Sequence, residues 1–263
     1  MSSTLAEIKV ALAAADREQF ESLARALAAD ERKGVKAALS QAKRRLDAAD
    51  AETNRVAGLY AFEKQLAHGG VCVGLDEVGR GPVAGPLTVA GVVLPEFPQI
   101  AGVNDSKQVK PEKRQEIAQV VRNVAIACSI QHVQPSEIDE HGMTWALRTA
   151  FGRAIADVEA QLNQAGVQLD CVLLDGNAQR LDPREVNVVK GDGRCSSIAA
   201  ASIIAKVERD GIMVDYAREY SEYGFDSNKG YASADHIEAI KRFGLSPIHR
   251  ASFCTAWTQG SLF

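Results

Sequence analysis

The sequence lacks paired cysteines, a long apolar run and an excess of positive charge. Its five cysteines are odd in number, widely spaced and without a CxxC pair, so they predict neither a zinc site nor a disulfide framework. No run reaches the roughly 18 apolar residues of a membrane-spanning helix, and the N-terminus has no secretory h-region. These absences predict a protein of the reducing cytoplasm that does not contact membranes.

Charge alone gives no support to nucleic-acid binding. The net charge is −4 and the pI is about 5.8, whereas nucleic-acid-binding domains are typically basic. Any surface for a nucleic acid must therefore be a local patch beside an acidic site. With 263 residues and 46% hydrophobic content, the chain is long enough for one sizeable core and an appendage.

Residues 1–68 are predicted to form an N-terminal helical extension. The segment is rich in alanine, contains no proline and repeats its apolar residues at helical spacing, with a second helix expected to start at Asp30. One interpretation is a helical appendage that packs on the main domain or stays partly free. The other is a role in holding a substrate or partner, for which Lys43, Arg44 and Arg45 form the one basic cluster.

From residue 69 to residue 263 the pattern changes to short apolar runs that alternate with helical segments. Strands are predicted at residues 71–75, 87–94, 125–133, 172–175 and 186–189. Helices are predicted at residues 111–123, 144–166, 196–220 and 234–243, with a loop at 135–140. This order predicts an α/β domain with a mixed sheet flanked by helices and with helices at its C-terminal end.

Acidic residues stand at or beyond the ends of three predicted strands. Asp76 and Glu77 follow the first, Asp175 ends another, and Asp192 follows the last within a KGDG turn. Neighbouring carboxylates at the end of a buried strand are costly because they repel one another and resist burial, and a cation removes that cost. Oxygen donors without nearby histidine or cysteine suit Mg²⁺ or Mn²⁺. Taken singly, each acid is more typical of a plain turn or cap than of a metal site.

The stretch next to the first acids adds a second signal. Gly79-Arg80-Gly81 follows Glu77 directly. Glycines let a backbone approach a ligand closely, and the planar guanidinium of arginine suits phosphate.

Seven motifs occur in an order that resembles the ribonuclease HII family, the type 2 ribonucleases H. They cover about residues 70–255 and are DEVGRGPVAGP (76–86), NDSK (104–107), LLDGN (173–177), KGD (190–192), SIAAASIIAKVERD (197–210), NKGY (228–231) and SPIHR (246–250). One such string is a weak signal, but seven in order make chance agreement implausible.

The resemblance implies a ribonuclease H-like fold and a site with assigned residues. Asp76, Glu77, Asp175 and Asp192 match the acids that hold a pair of divalent metal ions and carry catalysis. The substrate-binding residues would be those of the backbone-contacting loop, the sugar-stacking tyrosine and two candidate phosphate contacts, namely Gly79, Arg80, Gly81, Tyr231, Lys107 and Lys190.

The expected activity is metal-dependent cleavage of the RNA strand of RNA–DNA hybrids and incision of duplex DNA 5′ of an embedded ribonucleotide. The protein is expected to act as a monomer. Two alternatives stay open: another two-metal nuclease or phosphotransferase of the same fold, and a non-catalytic nucleic-acid-binding module. His141, His236 and His249 are interpreted as structural or as lying at the substrate rim, and Asp210 as an exposed partner of Lys206 or Arg209.

Overall fold

The computed structural model describes residues 4–176 and 179–258, which form two compact units, Met1–Ala57 and Gly58–Phe263. Helices α1 (Leu5–Ala14) and α2 (Arg17–Ala26) and most of α3 (Lys33–Leu66) belong to the first unit. The predicted helical character is confirmed, although one long first helix was expected. Asp16 interrupts it because its side chain accepts from the Gln19 amide and starts a new helix with a capping box.

The second unit contains a five-stranded sheet of order β3-β2-β1-β4-β5. Its strands are β1 (Cys72–Val78), β2 (Leu87–Val93), β3 (Ala127–Val133), β4 (Cys171–Asp175) and β5 (Glu185–Val188). The first three pair antiparallel, whereas β4 runs parallel to β1 and β5 runs parallel to β4. The predicted mixed sheet is confirmed.

Helices cover both faces of this sheet. Along β2, Leu87 and Val89 pack in a core with α5 (Pro135–Gln164), while Ala90 and Val92 pack in a second core with α4 (Pro111–Val124) and α6 (Ser196–Glu219). Alternate residues of a strand point to opposite faces, so a strand buried on both faces is apolar throughout.

The loop predicted at residues 135–140 is wrong, because α5 begins there. Pro135 stands at its first turn, where a missing amide costs nothing, and Glu137 accepts from the Gln134 amide at 2.8 Å. Gly142, with φ of 83°, interrupts the helix before its longer part.

The C-terminal part adds α7 (Phe225–Asn228), α8 (Ala234–Phe243) and α9 (Thr255–Thr258). They share a third core with the loop between β1 and β2 and with α6. Val83 of the loop and Met213 of α6 both lie in this core. No helix in the two described ranges is long and apolar enough to cross a membrane.

Candidate active site

The register of two neighbouring strands brings the first acids together. β1 and β4 are parallel, and Leu75 lies opposite Leu174. Asp76 and Asp175 therefore follow at adjacent positions, at the edge where open sheets bind ligands. The prediction that β1 ends at Leu75 is wrong: its antiparallel ladder with β2 continues through Val78, so Asp76 and Glu77 lie inside the strand.

The Asp76 side chain is held by a contact with α6, which covers one face of the sheet. It is 9% exposed, its Oδ1 accepts from the Glu77 amide at 2.8 Å, and the Ser202 side chain of α6 hydrogen-bonds to it. The Ser202 and Ser106 hydroxyls are also hydrogen-bonded to each other at 3.0 Å. Close approach of α6 requires a glycine at position 74, since a Cβ there would lie 2.3 Å from the Ile198 nitrogen.

Asp175 fixes the turn that carries the fourth acid. Its Oδ1 accepts from the Gly191 amide at 2.6 Å, and Gly191–Gly193 form a short 3₁₀ turn that contains Asp192. Lys190, which precedes this turn, adopts the left-handed conformation with φ of 55°. A side chain 16 residues away along the sequence thus connects the end of β4 to the KGD turn.

The charge of Asp175 acts on each of the other three carboxylates. Burial, followed by the charge of Glu77, raises the pKa of Asp76 well above its usual range, and Asp175 acts in the same direction. Burial is also the main cause of the raised pKa of Glu77 and of Asp192, and in both cases the charge of Asp175 adds to it. These carboxylates repel one another, and a bound divalent cation would relieve that repulsion.

The donor set suits a hard cation, although the side chains do not form a finished cage. Within the described ranges, no group of three or more Asp, Glu, His or Cys side chains is arranged to hold a metal ion. Asp76 and Asp175 each turn one oxygen to a backbone amide, and Glu77 accepts from Arg80 at 3.1 Å. Carboxylate oxygens are ligands that suit Mg²⁺ or Mn²⁺ by their chemistry.

The GRG loop and Tyr231 lie side by side. A Cβ at Gly81 would be 3.9 Å from the Tyr231 ring, and the Gly230 carbonyl accepts from the amides of Val83 and Ala84 at 2.9 and 3.2 Å. Tyr231 is 49% exposed, so its ring is accessible beside the loop.

The two predicted lysines are both exposed. Lys107 Nζ lies 3.9 Å from Asp105, and its charge opposes the raised pKa of Asp192, so it faces the acidic site. Lys190 adjoins that site through Gly191. Asn177 of the LLDGN motif lies outside the described residues.

Two histidines that were predicted to be structural or to lie at the substrate rim form a buried pair behind Tyr231. The Nε2 atoms of His236 and His249 are 3.0 Å apart. His236 Nδ1 lies 2.8 Å from the Tyr231 carbonyl and must donate to it, whereas His249 Nδ1 accepts from the Ser246 amide at 2.9 Å. Both rings are therefore neutral, in agreement with burial as the main cause that lowers the pKa of His249 to about 4.

The interpretations of Asp210 and His141 can also be compared with the structure. Asp210 pairs with Lys206 at 2.8 Å as expected, but it also lies 3.7 Å from Arg114 and is mostly buried. His141 is partly exposed and stacks on Trp145 with ring centroids 4.3 Å apart.

Sequence reasoning missed several residues that build the site. They are Glu63, which binds the first turn of α6, the Ser106–Ser202 pair, and the buried Arg209 and Arg250. Four of these five lie inside the quoted motifs, so the motifs themselves were the available signal.

Comparison with known proteins identifies the family. The Ribonuclease HII family model matches residues 73–256, and the Ribonuclease HII N-terminal domain model matches residues 4–67. Ribonuclease HII of Clostridium acetobutylicum is 42% identical over 256 residues, which cover 94% of this chain and 96% of that protein. Ribonuclease HII of Lactobacillus delbrueckii subsp. bulgaricus is 39% identical over 228 residues, 86% of each protein.

Solved structures agree with this assignment. Ribonuclease H2 of Pyrococcus horikoshii superposes with a TM-score of 0.59 at 26% identity, covering 72% of this chain and 100% of that one. RNase HII of Archaeoglobus fulgidus, solved in complex with PCNA, gives 0.58 at 26% identity, with 73% and 98% covered. The chain therefore belongs to the ribonuclease HII family and is an endoribonuclease of the ribonuclease H type.

Proposed function

We propose that this protein is a metal-dependent endonuclease that hydrolyses the RNA strand of RNA–DNA hybrids and incises duplex DNA 5′ of an embedded ribonucleotide. It leaves 3′-hydroxyl and 5′-phosphate ends and serves the removal of ribonucleotides from DNA. The observation that supports the proposal is that Asp76 and Asp175 occupy adjacent positions on neighbouring strands, with Glu77 next to Asp76 and with Asp192 in the turn that Asp175 holds.

The four acids would hold Mg²⁺ or Mn²⁺, and a pair of such ions supplies an activated water and stabilises the leaving 3′-oxygen. Ser202 keeps Asp76 in place from α6, and Asp175 fixes the turn that presents Asp192. Bst-RNase HIII, whose structure was solved with Mn²⁺, shares the fold at a TM-score of 0.58 and 22% identity. The choice of ion here rests on the donor set.

Recognition of the substrate would come from the groups next to the acids. The 2′-hydroxyl is the one group that distinguishes RNA from DNA at a given position, and backbone amides and carbonyls of Gly79–Gly81 are close-range partners for it. Tyr231 beside this loop would stack on the following deoxyribose. Arg80, Lys107 and Lys190 would contact phosphates, which gives a net-acidic protein the local positive charge that a polyanion requires.

A single chain supplies every residue of this site, and we propose that the protein acts as a monomer. All of the site residues lie in the unit Gly58–Phe263. We place the enzyme in the cytoplasm, because its five cysteines are free thiols and four of them are buried.

The test is cleavage of a labelled DNA duplex that contains one ribonucleotide, beside an all-DNA duplex and an RNA–DNA hybrid, with Mg²⁺, with Mn²⁺ and with a chelator. The proposal expects a single cut 5′ of the ribonucleotide and cuts in the hybrid, both only with metal. Cleavage of the all-DNA duplex would indicate another nuclease of this fold. Binding without product in any metal would indicate a non-catalytic module.

A further inference from the structure

Two arginines are completely buried behind the GRG loop. Arg209 and Arg250 are each 0% exposed, which is exceptional because buried guanidiniums normally pair with carboxylates. Here, every hydrogen bond that the two guanidiniums make in the described ranges goes to a backbone carbonyl.

These carbonyls belong mainly to one continuous stretch, residues 79–86. Arg250 donates to Gly79 and Pro82 at 2.7 and 2.8 Å, and also to Arg80 and Gly85. Arg209 donates to Ala84 and Pro86, both at 3.0 Å, and to Lys229 of the NKGY motif at 2.9 Å. The two side chains therefore connect the loop to the segment that carries Tyr231.

The remaining backbone groups of this stretch divide into two sets. The Val83 carbonyl accepts from the Arg250 amide, and the amides of residues 83–85 donate to Gly230 and Ile248. Arg80 and Gly81 are exposed, and in the described part of the chain their two amides and the Gly81 carbonyl form no hydrogen bond with another protein group. Arg250 holds the carbonyls of Gly79 and Arg80 inward, and the unpaired groups include those of Gly81, which lies beside Tyr231.

Backbone sterics fit the same arrangement. Gly79 has φ of 94°, and a Cβ there would lie 2.4 Å from Arg209 Nε. A glycine at position 79 is therefore needed for the Arg209 guanidinium to reach the loop carbonyls. The same glycine also lets a ligand approach the backbone closely.

Neither arginine forms an ion pair with a carboxylate in residues 4–176 and 179–258. Burial, followed by the charge of Arg209, lowers the pKa of Arg250 to about 9, and burial also lowers the pKa of Arg209. A guanidinium is basic enough to keep its proton in a protein at neutral pH. Two buried positive charges directly behind a loop favour an anion on its outer side, where the field is weakly screened.

We propose that Arg209 and Arg250 are the positioning residues of the ribonucleotide-reading loop: they fix its free amides and carbonyl and give it a positive potential toward the neighbouring phosphate. This inference rests on the proposed function. It assigns part of the selectivity for a ribonucleotide to two residues that never touch the substrate.

The test compares Arg250→Lys and Arg209→Lys with the wild type. Lysine keeps the charge but cannot form the fork that holds several carbonyls at once. The matched control is Arg184→Lys, because Arg184 also donates to carbonyl and carboxylate oxygens, at the opposite end of β4. Melting temperature, kcat and KM on the single-ribonucleotide duplex, and the ratio of affinities for ribonucleotide and all-DNA duplexes are measured.

We expect each loop variant to raise KM and to reduce the affinity ratio. The ratio should fall by about 10-fold, because that is the effect of losing one well-positioned charged hydrogen bond. The control should change neither. A merely structural role would lower the melting temperature and the active fraction of all three variants and leave KM and the affinity ratio of the active enzyme unaltered, which would overturn the inference. If one loop variant fails to fold, the other decides. A wild type that cuts no ribonucleotide-containing duplex would instead overturn the proposed function.

Discussion

Asp76 combines features that stability alone would not select. It is buried, the charges of Glu77 and Asp175 raise its pKa, and among the described residues its hydrogen-bond partners are one amide and one serine hydroxyl. Burial and repulsion raise the pKa of Asp76 in the folded state. The folded protein therefore binds a proton at this carboxyl more strongly than the unfolded chain does. The metal-free protein should therefore lose stability as the pH rises from the ordinary carboxyl range through that raised pKa.

This cost gives a prediction for Asp76→Asn. The variant should abolish cleavage and leave hybrid binding largely intact. It should also raise the melting temperature of the metal-free protein at pH 7, by about 2–4 °C for each kcal/mol of relieved repulsion. Calorimetry in the presence of a chelator, together with a cleavage assay and a binding assay, measures these effects. Retained cleavage, or a lower melting temperature at pH 7, would contradict the role assigned to this carboxylate.

At the residue scale, sequence reasoning finds the groups that a motif exposes and misses those that act through distant partners. Asp76 and Glu77 are adjacent to the GRG loop in sequence, and all of these residues are chemically conspicuous. Arg250, in contrast, binds Gly79 across 171 positions, and nothing local to either residue predicts the contact.

Helix α6 depends on a carboxylate from another helix. Glu63, near the end of α3 and 7% exposed, accepts from the Ser197 amide at 2.7 Å and from the hydroxyls of Ser196 and Ser197. A carboxylate at a helix N-terminus satisfies free amides and complements the helix dipole. Glu63 thereby fixes the end of α6 that packs on Gly74, on the helix that delivers Ser202 to Asp76.

We predict that Glu63→Ala lowers the free energy of unfolding by about 2–4 kcal/mol, because the cap is lost and buried donors are left unpaired. Chemical denaturation followed by circular dichroism measures the change. Glu96→Ala is the control, since Glu96 makes an exposed pair with Lys64 and should cost less than about 1 kcal/mol. Equal effects of the two variants would show that Glu63 does not anchor α6.

At the element scale, periodicity predicts the strands and helices but not their arrangement. The apolar run of β2 indicates burial on both faces, and the sheet indeed has helices on both. The extension of β1 through Glu77 was missed because it depends on pairing with β2, and the first turn of α5 was missed because Pro135 was interpreted as a loop signal rather than a helix start.

The whole molecule has a net charge of −4 and yet belongs to a family of nucleases. Divalent ions at the acidic edge and the cations around the GRG loop would reconcile its charge with a polyanionic substrate. The predicted division at residue 68 stays a proposal. Glu63 contributes to the unit Gly58–Phe263, so the last turns of α3 support the catalytic fold.

The most direct measurement is anomalous diffraction from crystals of the protein soaked in Mn²⁺ with a ribonucleotide-containing duplex. We predict two peaks about 4 Å apart, each within about 2.2 Å of carboxylate oxygens of Asp76, Glu77, Asp175 or Asp192. Peaks bound elsewhere, or no peak at this edge of the sheet in crystals that contain the duplex, would contradict the account.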